Sequence, residues 1–496
     1  MRWKTVSRQW FSLTRKVSFA IILVLEEGGA VVRKVLVFFF SFACLLLCAL
    51  PVQARDISGT DTVSGYTGFV SLNRLFDGRN MESNKIKSGG TITLASEDGI
   101  SGVYLEFGIE YGSFLVTDEG SGETKTVGET GYLHEFVDLE EVFGYIPGQV
   151  TVCFDHGDVE LAEVSVFSPG EIPDWVQRWD PPAEAQADLV LFSTHGDDEQ
   201  LFFAGMLPYY AWEMGYNVQV VYMTDHRNMT TRRCHEMLDG LWAVGVRCYP
   251  VFGTFGDYHS QSLSEAYQIY RQKGISREDI LAFVVENVRR FRPKVAVGHD
   301  LLGEYGHGMH MIYAELLCEA VNSSQDASLF PESAEKYGVW DVPKTYLHLY
   351  PENQVLMDWD IPLESFDGMT AYEVTKELGF PCHESQQSYY SWYFDGIDYA
   401  LAIREYSPCR FGLYRSTVGE DTRMDDFFEN VTTYGEDARL EEELLAQMQE
   451  QEAPQMQTEA PTEPMATEPE VLQEMPEKNI LWEIMYKIRK FLGFAP

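Results

Sequence analysis

Two patterns of hydrophobic spacing divide this chain. From residue 55 to 168, short stretches alternate apolar and polar positions and are broken by clusters of Gly, Asp and Ser. Gly90–Leu94, Val103–Phe107, Val150–Phe154 and Ala162–Phe167 each read as a strand, because alternate side chains of an extended chain fall on opposite faces. No helical period interrupts them, and the pattern predicts an all-β sandwich. Residues 169–186, Pro-rich through Pro181 and Pro182, form a connection. Beyond it the apolar runs become continuous and alternate with helical stretches. Strands are predicted at Asp188–Thr194, Val218–Thr224, Tyr249–Phe252, Val295–His299 and Thr345–Tyr350. Helices are predicted up to about Met214, through Ala243, and over 277–290 and 309–321. Alternating β and α units over 187–430 predict an α/β domain, with a mostly parallel sheet covered on both faces. Reactive groups in such folds gather beyond the carboxyl ends of the strands.

The two ends read differently. Within residues 1–54, Arg33 and Lys34 precede the uncharged run Val35–Leu50, and Val52-Gln53-Ala54 offers a small-residue cleavage site. The run is long for a signal core and short for a span, so a cleaved leader and a retained anchor both fit. Either takes the bulk of the chain out of the cytoplasm, to a secreted or cell-surface location. Residues 431–478, rich in Glu, Gln, Pro, Thr and Met, read as a disordered, solvated linker. In residues 479–496, Leu481, Ile484, Ile488 and Leu492 share one helical face, with Lys487, Arg489 and Lys490 off it. That amphipathic helix suits contact with a membrane surface or docking on a protein.

Composition narrows the function. A hydrophobic share of 45% is ample for packed cores, and a net charge of −40 excludes nucleic acid as a partner, since it cannot neutralise a phosphate backbone. Beyond the leader, Cys153, Cys234, Cys248, Cys318, Cys382 and Cys409 show no C-x-x-C spacing, so a thiolate zinc site is not expected.

The chemistry concentrates in two segments. Thr194-His195-Gly196-Asp197-Asp198-Glu199 follows the first strand of the α/β part. Gly303-Glu304-Tyr305-Gly306-His307-Gly308-Met309-His310 follows the strand ending at His299 and opens a helix. Imidazole and carboxylate are common zinc ligands, and a catalytic site offers three while keeping one position open. His307 and His310, three apart, lie on one side of their helix. Alternatively, the first segment is an ordinary strand-to-helix turn, with Asp197 as N-cap and Glu199 favouring the helix dipole. Asp225 and Asp257 follow strand ends and suit either a pocket wall or a surface turn. Arg233 suits a substrate contact or an ion pair with Glu236. His299 is expected to support its loop, and His134, His156 and His348 carry no signal.

His-x-Asp-Asp-Glu after a first strand, followed by His-x-x-His, resembles the PIG-L/LmbE-like zinc N-deacetylases over residues 187 to about 420. Arg233-Cys234-His235-Glu236 before Gly245-Val246, and His383-Glu384-Ser385-Gln386, match further elements of that family. The resemblance implies a Rossmann-like fold and one Zn2+ per chain, with His195, Asp198 and His310 as ligands. It further implies Asp197 as the proton-accepting carboxylate, and His307 as the histidine that steadies the tetrahedral intermediate or protonates the leaving amine. Arg233, Asp225, Asp257 and Glu304 are candidate substrate contacts. Two positions depart from the family: Gly196 replaces a proline, and Met309 replaces an aspartate that orients the neighbouring imidazole, a task left to Glu304 or Asp300. The segment before 168 resembles discoidin-like, galactose-binding jelly rolls in its layout, with Leu75–Gly78 near the start and Ala162–Phe167 at the end, which implies a glycan-binding accessory role. The expected activity is removal of an N-acetyl group from an N-acetylglucosamine-type glycan. The alternative is a surface glycan-binding protein that keeps the fold and has lost turnover.

Overall fold

The structure, a computed structural model, describes residues 52–452 apart from 70, 81 and 226–230. The leader up to residue 51, His226 and the helix expected at 479–496 lie outside the described residues.

The first half holds nine strands: β1 (Val63–Thr67), β2 (Asn84–Ile86), β3 (Gly90–Ala95), β4 (Gly102–Phe107), β5 (Phe114–Asp118), β6 (Thr124–Val127), β7 (His134–Asp138), β8 (Gln149–Phe154) and β9 (Val159–Phe167). They pair antiparallel in two sheets, ordered β1-β3-β8-β5-β6 and β2-β9-β4-β7. The alternation seen in the sequence is the alternation of burial. Along β3, Ile92 and Leu94 are buried while Thr91 and Thr93 are half-exposed. Ile92, Val152 and Phe154 of one sheet and Leu105, Phe107 and Val164 of the other join one hydrophobic cluster.

The second half is built on β10 (Leu189–Ser193), β11 (Val218–Tyr222), β12 (Val295–Gly298), β13 (Lys344–His348), β14 (Gln354–Leu356) and β15 (Arg410–Ser416). The sheet runs β11-β10-β12-β13-β15-β14, parallel from β11 to β13 and antiparallel at β15 and β14. Every residue of β10, β11, β12 and β13 is buried, which is why β10 and β12 read as apolar runs, while β13 buries Lys344, Thr345 and His348. The helices that matter for the site are α1 (Asp198–Leu201), α2 (Thr231–Ala243), α3 (Leu263–Gln272), α4 (Arg277–Phe291) and α5 (Gly308–Ser323). Of the helices that follow, Gln387–Tyr393 is named α6 and Tyr434–Glu452 is named α7.

Three expectations need correction. The helix expected to reach Met214 stops at Leu201; Gly205 turns at φ +88° against Trp359, and a separate π-helical turn runs from Pro208 to Glu213. Tyr249–Phe252 is not a ladder strand, because Pro250 has no N–H to offer and only isolated bridges form, Asp180 with Cys248 and Val221 with Val251. Residues 434–452 form α7 where a disordered linker was expected. Its Glu, Leu, Ala, Gln and Met are strong helix formers, so a largely exposed helix needs little burial to persist.

The two halves meet through polar and aromatic contacts. His134 on β7 bonds His235 Nδ1 on α2 through its Nε2 at 2.7 Å. Tyr132 stacks on Tyr249 at 3.9 Å and 8°, and the Leu133 amide donates to the Tyr249 hydroxyl at 3.1 Å. Among the described residues no helix is long and apolar enough to cross a membrane. We predict that Tyr249→Ala lowers the unfolding free energy by ~3 kcal/mol, from lost packing and an orphaned amide, and that Tyr249→Phe lowers it by ~1 kcal/mol. Urea denaturation followed by intrinsic fluorescence measures both.

Candidate metal centre

The first histidine segment leaves β10 and is pinned between neighbouring strand ends. The Thr194 amide donates to His299 Nε2 at 2.9 Å, and the Thr224 hydroxyl donates to the Thr194 carbonyl at 2.6 Å. The His195 amide donates back to Asp198 Oδ2 at 2.7 Å, closing a tight turn into α1. The second segment starts α5, where His307 is the N-cap and its Nδ1 accepts from the Met309 amide at 3.3 Å. Gly308 lets that end sit close: a side chain there would meet Ser260 Oγ at 2.4 Å.

These turns bring three ligand atoms together. His195 Nδ1 lies 3.1 Å from Asp198 Oδ2 and 3.0 Å from His310 Nε2, and His310 Nε2 lies 3.3 Å from Asp198 Oδ2. The triangle is close to the ~3.3 Å edge of a tetrahedron drawn around an ion with bonds of ~2.0 Å. The far nitrogens explain which atoms face inward. His310 Nδ1–H donates to Glu304 Oε2 at 2.7 Å, and His195 Nε2–H donates to Asp257 Oδ1 at 3.2 Å. A carboxylate only accepts, so each of these bonds holds the proton on the far nitrogen and turns the near lone pair toward Asp198. Once the imidazoles give up their inner protons, three such acceptors repel one another unless a metal cation lies among them. The donor set therefore fits a divalent metal.

The electrostatics agree. Burial would lower His310, but Asp198, with hydrogen bonds to Asp198 and Glu304, pushes it up to about 9. Burial likewise opposes the rise of His195, which Asp257 and Asp198 drive well above the usual imidazole range. Burial would raise Asp198, yet His310 and His195 hold it well below the usual carboxylate range. His307 behaves oppositely: burial, with His195 and His310 alongside, lowers it to about 3. It stays neutral, and with Nδ1 accepting from Met309 its Nε2 carries the hydrogen. Its ring centroid is 4.9 Å from those of His195 and His310.

Asp197 is buried beside this centre, with Arg233 Nη2 at 3.6 Å. Burial raises its pKa and Arg233 partly offsets the rise. The Arg233–Glu236 pair is only a 3.8 Å contact; Arg232 holds Glu236 at 2.8 Å, and the Ser385 amide donates to it at 2.7 Å. Asp225 lies three residues beyond the carboxyl end of β11, its amide donating to the Phe255 carbonyl at 2.7 Å.

Glu304 is not a substrate contact. It is fully buried, and its Oε2 accepts from His299 Nδ1 at 2.9 Å as well as from His310, while its Oε1 accepts from His348 Nδ1 at 2.6 Å. His348, which carried no signal in the sequence, thus belongs to the support of the site. Met309 points into a hydrophobic cluster with Ile312 and Tyr313, where a carboxylate would be buried unpaired. Tyr305, also passed over in the sequence, brings its ring within 5.5 Å of His307 and of His310. Gly196 has a steric reason as well: a side chain there would lie 2.3 Å from the buried Met237 thioether.

No family model matches the chain. Among curated proteins, a 1D-myo-inositol 2-acetamido-2-deoxy-alpha-D-glucopyranoside deacetylase of Catenulispora acidiphila is 25% identical over 302 residues, covering 54% of this chain and 91% of that protein. Like-named deacetylases of Saccharopolyspora erythraea and Mycobacterium leprae are 33% and 27% identical over 101 and 184 residues; the chain spans 35% and 59% of their lengths. Among solved structures, an N,N'-diacetylchitobiose deacetylase of Pyrococcus horikoshii aligns over 46% of this chain and 84% of its own, at 16% identity and a TM-score of 0.29, too low to argue from.

Two predictions follow from the geometry. A His310 imidazole that holds its proton up to about pH 9 must release it to accept a metal. Apparent zinc affinity should therefore rise ~10-fold per pH unit between pH 7 and 9 for each displaced proton, and calorimetry in buffers of differing ionisation enthalpy should register the release. Gly196→Ala should destabilise the fold, and Met237→Ala should recover at least ~1 kcal/mol of that loss relative to the sum of the single variants, as read from a thermal-unfolding cycle.

Proposed function

We propose that the chain, similar over 54% of its length to a curated N-acetyl sugar deacetylase, is a PIG-L/LmbE-like N-deacetylase that hydrolyses the acetamide of an N-acetylglucosamine-type glycan or glycoconjugate, with one zinc ion held by His195, Asp198 and His310. The observation that carries this is the triangle of inward-facing acceptor atoms, with both imidazoles fixed from behind by carboxylates. A divalent ion bound there supplies Lewis acidity, which lowers the pKa of water to ~7.

The chain's own residues do the rest. Asp197 takes the proton from the attacking water; burial makes it a stronger base than an exposed carboxylate, and Arg233 keeps it from being neutralised outright. His307, neutral and beside a cationic centre, donates its Nε2–H to the oxyanion that forms as the carbonyl is attacked. Asp197 then returns its proton to the nitrogen, which cannot leave as an amide anion. Acetic acid and an amine result; the acid's proton passes to the amine, giving acetate and an ammonium, so atoms and charge balance.

The alternative of a glycan-binding protein without turnover was motivated by Met309. The bond from His310 to Glu304 weighs against it, since an orienting carboxylate is present at another position. An extracytoplasmic location is part of the same proposal and rests on the sequence of residues 33–54, as attachment to a membrane surface rests on that of 479–496. A glycan-binding role for the antiparallel β region completes it.

Acetate release from N-acetylglucosamine oligosaccharides, assayed with and without a chelator, tests the proposal. We expect turnover that disappears on chelation and returns with zinc. Asp197→Asn should lower kcat by ~10²–10⁴-fold with zinc still bound, and Asp198→Ala should lose the zinc, as elemental analysis would show. A zinc-loaded protein that releases acetate from no N-acetylated sugar would sink the assignment.

A further inference from the structure

Three aromatic rings beside the metal centre are exposed without an intramolecular reason. Tyr305, Trp392 and Tyr389 show 41%, 49% and 40% of their surface, although each has buried aromatic neighbours into which it could have packed. They form a continuous chain. The Tyr305 ring lies 5.5 Å from His310, Trp392 lies 6.0 Å from Tyr305 at 90°, and Tyr389 lies 6.2 Å from Trp392 at 72°. The shelf is firmly backed. Trp392 also contacts Tyr406 at 6.2 Å and the buried Tyr393 at 5.7 Å. Tyr393 in turn donates from its hydroxyl to the Tyr406 carbonyl at 2.6 Å.

The spacing of α6 produces this arrangement. Tyr389 and Trp392 are three apart and share one side of the helix, while Tyr393 and Phe394 are buried. Ser388 and Ser391 are exposed along the same helix, so hydroxyls and amphipathic rings alternate on its surface. An amphipathic ring with a polar edge stacks well on a partner that has an apolar face and a hydroxylated rim. A pyranose is such a partner.

We propose that Trp392 and Tyr389 form a subsite for a second pyranose of the same substrate, next to the sugar whose acetamide reaches the metal centre. The inference rests on the deacetylase assignment above and deepens it: the substrate is an oligosaccharide or polymer, not a lone amino sugar. Continuity is the reason for choosing this occupant. Tyr305 touches both the shelf and the catalytic histidines, so a chain of sugars anchored at the centre must run over the exposed rings or away from them. An aliphatic acyl chain would not need the aromatic faces that these rings present.

The test compares the N-acetylglucosamine monosaccharide with its β-1,4-linked trimer on the zinc-loaded protein. The ratio of kcat/KM, trimer over monomer, should be well above one in the parent. In Trp392→Ala it should fall about tenfold, the size of one lost aromatic stacking contact, and Trp392→Tyr should recover most of it. Binding of the trimer to zinc-loaded Asp197→Asn protein, by calorimetry, gives the same comparison without turnover and should weaken about tenfold when Trp392→Ala is added. A parent that deacetylates both sugars with a ratio near one, unmoved by Trp392→Ala, would overturn the subsite while leaving the activity standing. A gain confined to longer acyl groups would overturn it too. If nothing is turned over, trimer binding that ignores Trp392 overturns it independently.

Discussion

A carboxylate can accept hydrogen bonds but not give them, and the centre of this protein is organised around that one-sidedness. Glu304 accepts from His299, His310 and His348, which sit on the end of β12, the first turn of α5 and the end of β13. Each imidazole is thereby fixed in ring orientation and in which nitrogen carries hydrogen. For His310 this decides that Nε2, not Nδ1, offers its lone pair to the centre. For His299 it decides that Nε2 accepts the Thr194 amide, which holds the turn bearing His195 and Asp198. One buried anion therefore sets the geometry of both histidine segments. A carboxylate buried this deeply is tolerable only because several donors compensate for its lost hydration.

Much of this was legible in the sequence, and for identifiable reasons. Both segments follow continuous apolar runs, and parallel strands covered on two faces put their carboxyl ends on one edge of the sheet. That rule and the residue types brought the two segments to one place, and the family resemblance singled out His195, Asp198 and His310 within them. Asp197 and His307 came with them through the family resemblance. The β region was legible because burial there follows a strict alternation, as the Ile92–Thr93–Leu94 run shows.

What escaped the sequence depends on contacts between distant residues. Glu304 was noticed, but its partner His348 lies on a strand whose neighbour is fixed only by the order of the sheet. The antiparallel pair β14 and β15 carries no signal of its own, since β14 is three residues long with one buried position. Gly196 stood out in the sequence only as a departure from a proline, and it is a packing requirement imposed by Met237 on α2. The bridges around Pro250 show the same limit, where a missing N–H overrides an apolar pattern, as does the break at Gly205, where the backbone turns against Trp359.

The contact between His134 and His235 has a consequence for how the molecule can be divided. His235 stands between Arg233, which faces Asp197, and Glu236, which holds the Ser385 segment. Its ring is fully buried, and its partner comes from the antiparallel region. Trimming the chain back to its α/β half would open this helix to water beside the very arginine that faces Asp197. The amino-terminal half thus backs the helix that carries Arg233 and is not a detachable passenger.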